Sequence, residues 1–90
     1  MRIWAAIRSD HHIIADTVQD FPQTRNAVTD WSGVIGALCE ALDLSRPVIL
    51  KKHLHDILHF SRVTFKPGDF MEPVNFDRFD MEIFPEEKKK

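Results

Sequence analysis

Charged and apolar positions alternate most cleanly near the end of the chain, in Arg78-Phe79-Asp80-Met81-Glu82-Ile83. A period of two marks a strand with one wet and one buried face. Near the start, residues 3–8 form a short apolar run, Ser9-Asp10-His11 offers a turn, and residues 12–21 follow with isoleucine, valine and threonine. Together they predict a β-hairpin with a three-residue loop. In that register Ile3, Ala5 and Ile7 share a face with Ile13, Ala15 and Thr17. Trp4, Ala6, Ile14 and Val18 lie on the other face, interrupted by Arg8 and Asp16. Both faces are rather apolar, so the pattern specifies the register weakly.

After Pro22 the period changes. Ala27, Val28, Trp31, Val34, Ile35, Leu38 and Leu42 recur at steps of three and four, which predicts a helix over 24–43. Thr24 and Thr29 are the candidate caps. Gly33 and Gly36 lie off the stripe, as close-approach points or tolerated surface glycines. Pro47-Val48-Ile49-Leu50 reads as a short buried strand. Residues 52–60 read as a short amphipathic helix with Leu54, Ile57 and Leu58 inward. Val63-Thr64-Phe65 is a small strand, and Lys66-Pro67-Gly68-Asp69 suits a type II turn. The order, ββαβ, short helix, then strand, resembles the element order of the β-grasp architecture. It predicts an α+β fold with a β-grasp-like mixed sheet and one main helix packed on one face. A ferredoxin-like split βαβ places its first helix between strands one and two, where only a tight turn fits here.

Length and charge narrow the function classes. A chain of 90 residues buries only about 60–65% of its unfolded surface, enough for one modest core. The expectation is a single domain over 1–86, followed by a charged tail over 87–90. The net charge is −2, from 14 acids against 12 bases. That balance concentrates neither nucleic acid nor anionic lipid, so neither is an expected partner. Lys88-Lys89-Lys90, directly behind Glu86 and Glu87, reads as a solvated end. The single cysteine, Cys39, cannot form an internal disulfide and fits a reducing compartment. No segment approaches the ~20 apolar residues of a membrane span, and the start is too short for a signal peptide. The expected location is cytoplasmic.

Candidate chemistry rests first on five histidines. His11 and His12 sit at the predicted hairpin tip, and His53, His55 and His59 on the short helix. An i, i+4 pair such as His55 and His59 can ligate a metal, as in the H-E-x-x-H helix of metalloproteases. Here Asp56, Ile57 and Leu58 follow His55, and no spacing identifies a third ligand, so a solvated polar face is expected. Cys39 lies near the helix end beside Glu40 and Asp43, a setting that raises a thiol pKa and suits packing. Asp77, Asp80 and Glu82 suit solubility and edge protection better than acid–base work in a cleft. Phe60, Phe65, Phe70, Phe76, Phe79 and Phe84 read as core filling, since few bases are interleaved.

There is no Gly-rich phosphate loop, no G-x-S-x-G and no Cys-x-x-Cys, so no cofactor is expected. A ubiquitin-like carrier would end in Gly-Gly, and a ferredoxin needs four cysteines. The reading that remains is a non-catalytic protein–protein interaction or accessory module. The alternative is a metal-assisted enzyme or metal-binding protein using His53, His55 and His59. The expected partner is another protein or a second copy of the chain. If Ile3, Ala5 and Ile7 face the helix, it would meet an outer sheet face of Trp4, Ile14 and Val18 rimmed by Arg78, Asp80 and Glu82. The opposite register places Trp4 in the core and leaves no such face.

Overall fold

In the computed structural model, which describes residues 1–84, Arg2–Ser9 (β1) runs out and His12–Asp20 (β2) runs back. Asp10 and His11 make the turn, with left-handed φ of 51° and 68°. That is a two-residue hairpin loop of the kind whose twist matches its strands. It is one residue shorter than the pattern suggests, and β2 compensates with a bulge. Ile7 stands opposite Ala15 and Arg8 opposite Ile13, which leaves Ile14 as the extra residue. Ala15 and Thr17 therefore share the face of Ile3, Ala5 and Ile7 as expected. Ile13 moves to the face of Arg8, and Ile14 leaves the ladder.

The remaining elements are helix α1 (Trp31–Ala41), helix α2 (Lys51–Phe60), strand β3 (Arg62–Phe65) and strand β4 (Arg78–Ile83), with short 3₁₀ turns at Arg25–Ala27 and Pro67–Asp69. The sheet order is β2-β1-β4-β3, and every pairing is antiparallel. The class is α+β, but the expected mixed sheet does not form among the described residues. The strand expected at 47–50 is missing. Pro47 makes only an isolated bridge to Phe70, and Leu50 is already the cap of α2, its N–H held by His53.

Both helices pack on one side of the sheet. Ile3, Ala5 and Ile7 of β1, Val63 and Phe65 of β3, and Phe79, Met81 and Ile83 of β4 meet Trp31, Val34, Ile35 and Leu38 of α1 and Ile57 of α2 in one buried cluster. α1 begins at Trp31 and not near Thr24, because the Asp30 carboxylate accepts the Ser32 N–H and fixes the start there. Gly36 is buried, and a Cβ there would strike the Arg46 guanidinium, so it marks a close approach; Gly33 is exposed.

Three further expectations change. On α2 the buried residues are His53 and Ile57, while Leu58 is half exposed. His53 shares the inward face with Ile57, its ring tilted against Phe65 with the centroids 4.3 Å apart. The 66–69 turn is 3₁₀, not type II: Gly68 has no positive φ, and the Asp69 carboxylate accepts the Lys66 N–H at 2.9 Å. Of the six clustered phenylalanines, Phe60 and Phe84 are exposed, Phe60 to 62%. Among the described residues no helix is long and apolar enough to cross a membrane. The charged tail expected at 87–90 lies outside the described residues.

Candidate functional site

The face of the sheet opposite the helices carries alternate residues of every strand. Trp4, Ala6 and Arg8 of β1 stand there between Val18 and Asp16 of β2 and Glu82, Asp80 and Arg78 of β4. Arg62 and Thr64 of β3 complete it. Strand alternation alone puts them there, since Ile3, Ala5 and Ile7 point the other way into the core.

Several polar groups of this face are paired with one another, centred on Trp4 and Asp80. Trp4 Nε1 donates to the Asp16 carboxylate at 2.9 Å, and the Arg8 guanidinium lies 5.8 Å from the centre of the Trp4 ring, within cation–π reach. Arg8 Nε in turn donates to Asp80 at 2.7 Å. Arg78 Nε lies 3.2 Å from the same oxygen, and Thr64 Oγ1 donates to the other Asp80 oxygen at 2.7 Å. Asp80 therefore organises three strands. A shallow depression of about 300 Å³ lies beside Trp4, over Asp80 and Glu82. Arg2 and Asp20 pair at 3.0 Å further along β1 and β2.

Apolar surface adjoins this network on the β2 side. Val18, directly opposite Trp4, is 52% exposed, and Ile14 in the bulge is 56% exposed. Of the residues expected to form a docking face, Trp4, Val18, Arg78, Asp80 and Glu82 share this face. Ile14 sits at its rim in the bulge, and Ile13 stands opposite Arg8. The Trp4–Asp16 and Arg8–Asp80 links escape a reading of each strand alone. Their signal lies in cross-strand pairing, with basic or N–H-bearing residues on β1 and acids on β2 and β4.

The histidines divide. His55 and His59 are exposed, and their rings stack at 4.2 Å. His53 is buried on the opposite side of α2, where Nδ1 accepts the Leu50 N–H at 2.9 Å and Nε2 lies 3.5 Å from Asp69. His11 and His12 remain exposed at the hairpin tip. Among the described residues no group of three or more His, Cys, Asp or Glu side chains is placed to hold a metal ion. Cys39 is fully buried, and burial pushes its thiol up to about 11 against a smaller opposing pull from Arg46. A thiol so raised is neutral at physiological pH and is no nucleophile.

In comparisons with protein-family models, curated proteins and solved structures, nothing matches this chain.

Proposed function

We propose that this protein is a non-catalytic interaction module that docks another protein surface against the uncovered face of its sheet. The observation that carries the proposal is Trp4, held in place by Asp16 and Arg8 beside the exposed Val18, on the side that neither helix covers. A fixed aromatic with its N–H already satisfied loses little freedom on binding, which suits an interface anchor. Arg78, Asp80 and Glu82 supply a polar rim.

The first occupant of that face is a second copy of the chain. Arg2, Arg8, Arg62 and Arg78 balance Asp16, Asp20, Asp80 and Glu82 on it. A face of balanced charge can meet its own image in an isologous contact without net repulsion. The free, buried Cys39 supports a reducing compartment such as the cytoplasm. Sedimentation across a concentration series, for the wild-type chain and Trp4→Ser, tests the reading. Self-association that weakens at least tenfold in the variant supports it. A wild-type chain that stays monomeric at several hundred micromolar removes the second copy as occupant.

A further inference from the structure

β3 is the edge strand of the sheet on the helix side, and its free edge is furnished for a ligand. The Ile83 N–H donates to the Ser61 C=O at 2.8 Å. With the observed register this makes Val63–Met81 and Phe65–Phe79 the hydrogen-bonded pairs. Arg62 and Thr64 therefore turn their backbone N–H and C=O away from β4, towards the open edge. Among the described residues no hydrogen bond meets those four groups.

Beside that edge runs a groove of about 560 Å³ whose second wall is α2. Lys52, Asp56 and Phe60 recur there at intervals of four residues, so one stripe of the helix lines it. The 62% exposed Phe60 ring supplies apolar surface at one end. The charge of the groove is one-sided: Lys52, Arg62 and Lys66 face a single carboxylate, Asp56.

We propose that this groove takes an extended acidic segment of a partner protein as an added strand. The bound segment would exchange hydrogen bonds with the backbone of Arg62 and Thr64, the mode in which sheet edges capture peptides. Its side chains would alternate. One set, apolar, packs towards Val63 and Phe60 on the helix side, and the other, acidic, meets Arg62 on the opposite side, with Lys52 and Lys66 adding attraction. Short, basic edges also guard against aggregation. That guard acts between like copies, since two such edges repel, and it leaves an acidic strand free to pair. The four residues of β3 set the length of the paired segment. This site shares only Arg62 and Thr64 with the proposed docking face and does not involve Trp4, so either can fail alone.

The test uses a fluorescein-labelled peptide, acetyl-(Val-Glu)₃-amide, with the full chain, read by anisotropy and by amide NMR. The expected result is saturable binding that shifts and protects the Arg62 and Thr64 amides. Arg62→Glu with Lys66→Glu weakens it at least tenfold, while Trp4→Ser leaves it within twofold. N-methylation of alternate peptide nitrogens, which leaves the protein untouched, abolishes it. The proposal is overturned if (Val-Lys)₃ binds as well, or if the N-methylated peptide retains its affinity. It is equally overturned if a single-stranded oligonucleotide binds while (Val-Glu)₃ does not, because the groove is then only a cationic patch.

Discussion

His53 Nδ1 accepts the backbone N–H of Leu50 at 2.9 Å, three residues before it, at the start of its own helix. With its ring on Phe65 at 4.3 Å and 2% exposed, the side chain both caps α2 and locks it to β3. His53→Ala opens a cavity and orphans the Leu50 donor, and is expected to cost about 2–4 kcal/mol in chemical denaturation. His53→Leu restores most of the volume and removes Nε2, which lacks a hydrogen-bond partner. It should recover at least half of the loss. Equal losses in the two variants would show that the Leu50 cap, and not the packing, dominates.

Asp30 sets where α1 begins. Its carboxylate accepts from the Ser32 hydroxyl and the Ser32 N–H, and the hydroxyl bond is the largest cause holding its pKa below the usual carboxylate value. A lowered pKa in the fold means stability present above the unfolded value near 3.8 and lost as the pH falls through the folded one. Asp30→Ala should therefore melt lower than wild type at pH 7, with the gap narrowing in acid. Asp30→Asn, which keeps an accepting oxygen, should lie between the two. Thermal melts of the three proteins at pH 7 and pH 3 check this.

Cys39 predicts behaviour at the alkaline end. The fold holds the thiol proton more tightly than the unfolded chain, raising its pKa from 9.0 to about 11. Its contribution is thus complete below about pH 9 and lost as the pH climbs through 11. The expected slope is at most about 1.4 kcal/mol per pH unit. Cys39→Ala should lack that slope. In the native protein at pH 8 an aromatic disulfide reagent should react with Cys39 only as fast as the chain unfolds. Immediate stoichiometric labelling would contradict its burial.

The strands were legible in the sequence wherever one face is wet. Arg78–Ile83 alternates between charged and apolar residues and is a strand over those same residues. The hairpin was legible too, but not its loop, because the positive φ of Asp10 and His11 needs no glycine signal here. Residues 47–50 form no strand for a physical reason. A short apolar run suits a strand only if its backbone groups find a sheet edge, and here Leu50 meets His53 instead. The inward face of α2 differs from the apolar pattern in the same way, since hydrophobicity favours Leu58 over a histidine that satisfies a backbone donor and packs its tilted ring against Phe65. At the outer face, the residue types were visible. The links from Trp4 to Asp16 and from Arg8 to Asp80 depend on register, which two apolar faces specify weakly.

The two tryptophans sit on opposite sides of the sheet and should respond differently to truncation. Trp31 is buried at the first turn of α1 within the core cluster. Trp31→Ala is expected to cost about 3–5 kcal/mol, as core truncations of large aromatics do. Trp4 is only half buried, lying on the outer face with its N–H on Asp16. Trp4→Ser should cost about 1–2 kcal/mol, the area its ring shares with Ala6, Arg8 and the strand backbone. Asp16→Ala separates anchoring from folding more finely. It keeps the ring and removes the partner that orients it, so stability should change by less than about 1 kcal/mol, since exposed hydrogen bonds contribute little. Self-association should nevertheless weaken, because a ring free to turn must be ordered again on docking. Denaturation and sedimentation on the three variants give the readout. If Asp16→Ala and Trp4→Ser both leave association intact, the uncovered face is not the docking surface, whatever their effect on stability.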